Sequence, residues 1–124
     1  MRLLLDTHAL IWALEDSVRL SARARELIVD VDNQILVSAT SAVEIAVKRS
    51  MQRLEVPDDL RLAVETAGFI PITIDFATAE RLASLPLHHR DPFDRLLIAQ
   101  ALAEGVPIVT RDPAFAAYAV TTIW

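Results

Sequence analysis

The sequence predicts an α/β fold in which a parallel sheet is covered by helices on both faces. Short apolar runs recur along the chain and alternate with longer amphipathic segments. Most of these runs lack polar alternation, which is typical of strands buried on both faces. Ser, Asp and Pro before the longer segments, and Gly after them, mark helix starts and ends. Strands that alternate with helices in this way favour parallel pairing.

The first half of the chain contains two predicted strands and three predicted helices. Residues 2–5 are an apolar run that ends at Asp6-Thr7, as expected of a strand followed by a helix cap. Ser41 and Glu44 match a capping box, so we predict that a helix begins at Ser41. The predicted elements are a strand at 2–5, helices at 8–15 and 21–28, a strand at 34–37 and a helix at about 41–51.

The second half continues the same alternation. Pro57 begins a predicted helix, and Gly68 marks its C-terminal end. Pro71 weakens a strand prediction at 70–74 because proline cannot donate to a strand ladder. The remaining predicted elements are a helix from Asp75 to residue 84, a loop at 85–91, a helix at 92–104 ending before Gly105, a strand at 106–110, a short helical stretch from 113 and an edge strand at 120–123.

Composition limits the classes of protein to which the chain can belong. Its 124 residues fall within the usual size of one domain, so we expect residues 1–124 to form a single domain. The absence of cysteine excludes disulfides, zinc–thiolate centres and cysteine nucleophiles. The apolar stretch at 3–14 is interrupted by Asp6 and His8 and is too short to span a bilayer. We therefore expect a cytoplasmic protein without a membrane partner.

Four acidic residues share one type of position, because each follows a predicted strand or lies near the start of a helix. They are Asp6, Glu44, Asp94 and Asp112. The carboxyl ends of parallel strands and the adjacent helix starts share one edge of a sheet, so we expect these carboxylates to converge there. Their repulsion calls for a divalent cation, and such oxygen ligands suit Mg²⁺ or Mn²⁺. The sequence therefore predicts a metal-dependent enzyme.

Each of these acids also has an ordinary structural interpretation. Asp6 is a candidate helix N-cap, and Asp112 is a candidate turn residue. Glu44 can reach back to Ser41 or pair with Lys48 four residues later. The conjunction of the four acids is therefore what distinguishes a site from a set of caps.

Two acids occur together at the start of the long helix predicted at 92–104. Asp91 and Asp94 flank Pro92-Phe93, so one acid can cap the helix while the other faces the site. Asp94 lies three residues before Leu97 on the sheet-facing side. We therefore predict Asp94 as the metal ligand and Asp91 as a supporting residue.

The net charge of the chain does not by itself identify a partner. A charge of −5 argues against a nucleic-acid-binding surface. If four of the 17 acidic residues form a metal site, the rest nearly balance the 12 basic residues. Lys48 is the only lysine, and the other basic residues are arginines, whose planar guanidinium suits phosphate.

Four segments of the sequence together resemble one family. In chain order they are LLLDTHALIWAL, SATSAVEIAVK, LPLHHRDPFDRLLIAQA and VTRDPAF. The chain is similar to PIN-domain proteins and, more narrowly, to the VapC-type toxins of type II toxin–antitoxin pairs. The resemblance implies a three-layer α/β fold whose central parallel sheet of about five strands is flanked by helices. It also implies an Mg²⁺- or Mn²⁺-dependent endoribonuclease that cleaves RNA phosphodiester bonds by metal-activated water.

The resemblance further implies roles for individual residues. Thr7 and Thr110 match hydroxyl positions that support the site, and Asp91 matches a supporting acidic neighbour. His89 is typical of this subgroup, but we expect its ring to bond the backbone of a loop and to take no part in catalysis. The implied catalytic and metal-binding residues are Asp6, Glu44, Asp94 and Asp112.

The same resemblance implies several partners. These are a cognate VapB-type antitoxin, an RNA substrate, and a second copy of the chain in a homodimer within a higher toxin–antitoxin assembly. Apolar residues that could form the dimer interface, but that we favour as core, are Ile11, Trp12, Leu14, Val43 and Val47. Arginines that could hold flanking phosphates are Arg49, Arg90, Arg95 and Arg111, of which we favour Arg49 and Arg95 as solvated helix charges.

Other functions compete with this interpretation. A receiver-like phosphoacceptor domain also has an acidic Mg²⁺ pocket, but it would need paired acids after the first strand and a lysine at a later strand end. Here Asp6 is single, and Lys48 lies on a predicted helix. A PIN nuclease that acts in RNA processing outside a toxin pair, and a catalytically weak module that only binds an antitoxin, both stay open.

Overall fold

A computed structural model of the protein describes residues 1–51 and 58–124. In these residues, five parallel strands form one sheet in the order β3-β2-β1-β4-β5, with β1 at the centre. The strands are β1 (Arg2–Leu5), β2 (Gln34–Ser38), β3 (Ile70–Ile72), β4 (Ile108–Val109) and β5 (Thr122–Ile123). The α-helices are α1 (Thr7–Leu14), α2 (Ala22–Val29), α3 (Ala39–Ser50), α4 (Leu60–Thr66), α5 (Phe76–Arg81) and α6 (Pro92–Glu104). Short 3-10 helices lie at Leu82–Ser84 and Pro113–Ala117. The predicted α/β fold with a five-stranded parallel sheet is confirmed.

The central strand supplies side chains to two hydrophobic clusters, one on each face of the sheet. Leu3 and Leu5 pack with Leu10 of α1 on one face. Leu4 packs with Leu97 of α6 on the other face. All five of these leucines are fully buried. Helices therefore cover both faces, and the sheet is the middle layer of three.

The edge strands of the sheet are short. β3 ends at Ile72, two residues before the predicted end, and Pro71 lies opposite Val37 of β2. Proline is tolerated in β3 because one side of an edge strand needs no ladder partner. β5 confirms the predicted edge strand and pairs with β4.

The helix that carries Glu44 begins earlier than predicted. α3 begins at Ala39, and the Ser38 hydroxyl caps it by accepting a hydrogen bond from Thr40 N at 2.9 Å. The capping box predicted at Ser41 is therefore wrong. Glu44 lies in the second turn of α3, too far along the helix to cap its start.

Other helix ends agree better with the sequence analysis. The predicted start at Pro57 lies outside the described residues, and α4 begins at Leu60 with Asp59 as its N-cap. Asp75 caps α5 as predicted, although α5 gives way to a 3-10 helix after Arg81. Gly105 ends α6 in the left-handed region at φ 65°, where glycine adopts the conformation without strain.

None of the helices in the described ranges is long and apolar enough to cross a membrane.

The residues considered for a dimer interface divide into two sets. Ile11 and Trp12 are buried in the core, and Leu14 packs against it, as favoured from the sequence. Val43 and Val47 on α3 are 52% and 42% exposed, so they are not core residues.

Gln100 connects three elements from a fully buried position on α6. Its Oε1 accepts a short hydrogen bond from Ser38 Oγ at the start of α3. Its Nε2 donates to Thr73 O, just after β3, at 2.8 Å. This amide therefore fixes α6 relative to α3 and β3.

Replacing this amide is expected to destabilise the fold. Gln100→Leu leaves the Thr73 carbonyl and the Ser38 hydroxyl without the partner that Gln100 supplies, and unsatisfied buried groups cost about 1–3 kcal/mol each. We expect the free energy of unfolding to fall by about 2 kcal/mol or more, measured by urea denaturation. Gln34→Leu, at an exposed strand start, is the control and should change stability by less than about 0.5 kcal/mol. Equal effects in the two variants would contradict the assigned role of Gln100.

Candidate active site

The carboxyl ends of the three central strands bring the four predicted acids to one edge of the sheet. Asp6 directly follows β1, and Asp112 lies shortly after β4. Glu44 lies on α3, which directly follows β2, and Asp94 lies in the first turn of α6. The charge of Asp112 raises the pKa of Asp6, and the charge of Glu44 raises the pKa of Asp94, so the members of each pair lie close together. The predicted convergence of these acids is therefore present in the structure.

Asp6 is a buried carboxylate at the start of α1. Its Oδ1 accepts a hydrogen bond from Ala9 N at 2.7 Å, so Asp6 is also the N-cap of α1. Its Oδ2 accepts a hydrogen bond from Thr110 Oγ1 at 2.6 Å. Burial raises the pKa of Asp6 above its ordinary value, and Asp112 adds to this, while the hydrogen bonds oppose it.

Glu44 is buried, and both of its carboxylate oxygens have partners. Oε1 accepts a hydrogen bond from Thr7 Oγ1 at 2.7 Å, and Oε2 pairs with Lys48 Nζ at 2.6 Å. Thr7 Oγ1 also lies 3.0 Å from Ser41 Oγ. The pairing of Glu44 with Lys48, one of the two structural interpretations, is thus observed. Thr7 connects α1 to Glu44 of α3 through the same network.

Asp91 and Asp94 differ in that only Asp91 caps α6, as the sequence analysis expects of one of the two acids. Asp91 Oδ1 caps α6 by accepting hydrogen bonds from Phe93 N at 2.8 Å and Asp94 N at 3.1 Å. Asp94 is left to face the cluster, where its Oδ2 lies 2.8 Å from His89 Nε2. The pKa of Asp94 is raised to about 6, mainly by burial and then by the charges of Asp91 and Glu44, and His89 opposes the increase.

The expectation that the His89 ring bonds the backbone of its loop is wrong, because the ring pairs with the Asp94 carboxylate. That His89 takes no part in catalysis stays a prediction. The backbone N–H groups of His88 and His89 both donate to Tyr118 Oη, at 3.2 and 3.0 Å. Tyr118 therefore holds the loop before α6 so that His89 faces Asp94. Nothing near His89 in the sequence identifies Tyr118, which lies 29 residues away.

Asp112 is fixed by hydrogen bonds of its own. Its Oδ1 accepts from Ala114 N at 2.9 Å and so caps the following 3-10 helix, which agrees with the turn interpretation. Its backbone N–H donates to Thr110 Oγ1 at 3.0 Å. Because Thr110 also donates to Asp6, this one hydroxyl connects the carboxyl ends of β1 and β4.

Three side chains at this edge fit a metal ion by their spacing. One ligand atom each from His89, Asp94 and Asp112 lies within 4.8 Å of the other two. Carboxylate oxygens fit a hard divalent cation, and an imidazole nitrogen can join such a set. Asp6 and Glu44 are not members of this closest group. Their oxygens face Thr110 and Thr7 instead.

An open cleft of about 300 Å³ begins beside Asp6 and Asp112. His8 and Trp12 of α1 also line it, together with Arg111. The Arg111 guanidinium lies 4.7 Å from the centroid of the Trp12 ring, a cation–π contact, and the His8 and Trp12 ring centroids are 5.5 Å apart. The cleft therefore places a cation and two rings next to the carboxylates.

Two of the four arginines considered for phosphate binding are engaged with backbone carbonyls. Arg95 Nη2 donates to Leu82 O at 3.3 Å and to Leu85 O at 3.0 Å. Arg95 is therefore a structural link to the loop before α6 and not a solvated helix charge. Arg49 Nη1 donates to Asp58 O at 3.2 Å, so it too has a structural contact. Arg90 and Arg111 are exposed.

Comparison with known sequences identifies the family. The sequence profile of the PIN domain matches residues 3–120. The chain belongs to the PIN-domain family. Ribonuclease VapC22 of Mycobacterium tuberculosis is 33% identical over 117 residues, which cover 88% of this PIN chain and 85% of the relative. The resemblance to VapC-type proteins is confirmed.

Solved structures share the fold of this PIN chain at low sequence identity. VapBC2 from Rickettsia felis, bound to a DNA fragment from its promoter, has a TM-score of 0.72 at 14% identity and covers 99% of this chain and 98% of its own. A toxin–antitoxin complex from Klebsiella pneumoniae has a TM-score of 0.66 at 19% identity, with 98% and 95% covered. FitAcB from Neisseria gonorrhoeae has a TM-score of 0.65 at 18% identity, with 98% and 96% covered.

The raised pKa of Asp94 makes stability depend on pH in the metal-free protein. The folded state holds a proton on Asp94 more tightly than the unfolded state does, so stability falls as pH rises from about 4 through about 6. Asp94→Asn removes this charge, and we expect the variant to be more stable than the wild type at pH 7 in EDTA but not at pH 4. Thermal unfolding at the two pH values measures the difference.

Asp75 provides a control of opposite sign. Hydrogen bonds from Thr78 lower the pKa of Asp75, so its carboxylate stabilises the folded state above its unfolded pKa and loses this effect as pH falls. Asp75→Asn should therefore lose a little stability at pH 7. A gain of stability in both variants would show that removal of any acid from this acidic chain suffices.

Proposed function

We propose that this PIN protein is a metal-dependent endoribonuclease and the toxin component of a type II toxin–antitoxin pair. The observation that carries the proposal is the placement of His89, Asp94 and Asp112 within 4.8 Å, at the edge where Asp6 and Glu44 also lie. The relative named ribonuclease VapC22 and the likeness to toxin–antitoxin complexes support it. We further propose that residues 1–124 form one PIN domain.

The carboxylates of this edge would hold Mg²⁺ or Mn²⁺. We assign Asp6, Asp94 and Asp112 as direct ligands. Glu44 acts through water, because the Lys48 ammonium already balances its charge. The hydrogen bonds that Asp6 accepts come from the uncharged Ala9 N–H and Thr110 hydroxyl, so its charge remains for the cation. The cation would lower the pKa of a water molecule and supply the hydroxide that attacks the phosphodiester.

The supporting residues hold these carboxylates in place. Thr110 orients the Asp6 carboxylate through its 2.6 Å hydrogen bond, and Thr7 orients Glu44 through its 2.7 Å hydrogen bond. Asp91 fixes the first turn of α6 and thereby the position of Asp94. Each of these contacts maintains the geometry of charges that would otherwise separate.

RNA would enter along the cleft beside Asp6 and Asp112. Arg111 is exposed there and is oriented by Trp12, so its guanidinium can contact a flanking phosphate. His8 offers an exposed ring on which an unpaired base could stack. Recognition of splayed, single-stranded bases is the usual route to selective RNA cleavage.

Cleavage of a mixed pool of single-stranded and structured RNA tests the activity. We expect cutting with Mg²⁺ or Mn²⁺, none with EDTA, and a loss of about a hundredfold or more in Asp6→Asn and Asp94→Asn. Asn still accepts a hydrogen bond at a helix N-cap, so Asp6→Asn removes the charge while preserving the cap. Product ends read by sequencing would also identify the preferred site.

Asp59→Asn is the matched control, because Asp59 caps α4 and is exposed. It should cut RNA at the wild-type rate. Cutting that persists in folded Asp6→Asn and Asp94→Asn would refute the site assignment. Metal binding without cutting by the wild type would instead favour a module that only binds its antitoxin.

The proposed partner is a cognate VapB-type antitoxin, with a homodimer of this chain inside the larger assembly. We also propose a cytoplasmic location. Val43 and Val47 are exposed on α3 and are available for one of these contacts.

Controlled expression in a bacterial host tests the toxin assignment. We expect the wild type to arrest growth, and co-expression of its proposed antitoxin, which we expect in a small open reading frame upstream of its gene, to restore it. Asp94→Asn should be harmless at equal protein level, since the arrest depends on cleavage. RNA cleavage in vitro without growth arrest would favour a role in RNA processing outside a toxin pair.

A further inference from the structure

Lys48 lies where the acid cluster meets solvent. It follows Glu44 by one turn of α3, and its Nζ is 2.6 Å from Glu44 Oε2. The side chain of Glu44 is 4% exposed, whereas that of Lys48 is 37% exposed. The ammonium group is therefore anchored on a buried carboxylate while part of the side chain remains accessible.

The contact with Glu44 does not exhaust the hydrogen-bonding capacity of Lys48. A lysine ammonium carries three N–H donors. Within residues 1–51 and 58–124, Glu44 is the one acceptor that Lys48 Nζ contacts. Donors remain for a ligand that approaches from the solvent side.

The position of Lys48 complements that of Arg111. Arg111 lines the cleft beside Asp6 and Asp112. Arg111 follows β4, whereas Lys48 lies beside Glu44 on α3, which follows β2; β2 and β4 pair with opposite sides of the central strand β1. An RNA backbone that crosses the carboxylates would meet repulsion unless cations flank it, and these two residues provide one cation on each side.

We propose that Lys48 binds an RNA phosphate next to the scissile bond, so that its ammonium bridges Glu44 and the phosphate. This inference rests on the proposed function, because it assigns a substrate contact at the same site. Lys48 is then a substrate-binding residue, and Glu44 is the group that positions it. A lysine that only neutralised Glu44 would affect folding but not the number of phosphate contacts.

The salt dependence of RNA affinity separates these two roles. Each phosphate contact contributes about 0.7 to the slope of log K against log salt for single strands. We would titrate a fluorescent single-stranded RNA pool with Asp6→Asn protein, which does not cut it, over a range of KCl concentrations with Mg²⁺. Lys48→Gln in this background should reduce the slope by about 0.7, and Lys48→Arg should retain it.

Arg2→Gln is the matched control. Arg2 is also a cation paired with a glutamate, at 3.1 Å from Glu104, but it lies at the start of β1 on the opposite edge of the sheet. Its loss should leave the slope unchanged. An unchanged slope in folded Lys48→Gln, or an equal reduction in Arg2→Gln, would overturn the inference. If the Asp6→Asn protein and the wild type bind no RNA at any salt concentration, the proposed function itself fails.

Acetylation provides a second measurement that does not require a Lys48 variant to fold. Lys48 is the only lysine, so an amine-reactive acetylating reagent has two targets, Lys48 and the N-terminal amine. The amine of Met1 bonds Asn33 at the opposite edge of the sheet and serves as the internal reference. RNA should slow acetylation of Lys48 several-fold, measured by mass spectrometry, and leave Met1 unaffected. Equal rates at Lys48 with and without RNA would contradict a phosphate contact.

Discussion

Carboxylates that lie together in a partly desolvated pocket repel one another, and every other feature of this site follows from that constraint. Burial raises the pKa of both Asp6 and Asp94, and neighbouring carboxylates raise each further. A chain that gathers such groups must hold them by contacts strong enough to oppose their separation. The parallel sheet provides the frame, because its three central strands end at one edge and are packed between two hydrophobic clusters.

Backbone N–H groups offset part of this repulsion. Asp6 caps α1, Asp91 caps α6 and Asp112 caps a 3-10 helix, so each carboxylate accepts hydrogen bonds at the positive end of a helix. The structural interpretation of these acids as helix caps is therefore correct, and a residue that caps a helix can also belong to the candidate site. The same hydrogen bonds that satisfy the helix starts bring the negative charges to the edge of the sheet.

Local pattern predicted much of the fold but not its long-range contacts. The apolar runs identified β1 and β2 because buried strands have a local signature. The start of α3 was misplaced because Ser38 and Ser41 are both good caps, and only the contact of Ser41 with Thr7 of another helix distinguishes them. Strand order and register are likewise absent from local sequence, since they depend on pairing between distant segments.

The same limit explains which site residues could be found. Asp6 and Asp94 stand out because each lies at a helix start next to apolar residues. The orientation of His89 depends on Tyr118, 29 residues later, and no short-range pattern reports it. The contact that orients His89 joins two distant segments, so the sequence alone predicts only a loop residue at this position.

The four acids differ in how many of their carboxylate oxygens have a hydrogen-bond or ion-pair partner within the protein. Both oxygens of Glu44 have partners in Thr7 and Lys48, so its charge is balanced without any ligand. Asp94 has only the His89 ring on one oxygen among the described contacts. The less satisfied carboxylate lies on α6, the helix that Gln100 and Arg95 attach to β3 and to the preceding loop. Long-range contacts thus anchor the helix of a carboxylate that the protein itself satisfies incompletely, as expected if that carboxylate is kept for a ligand.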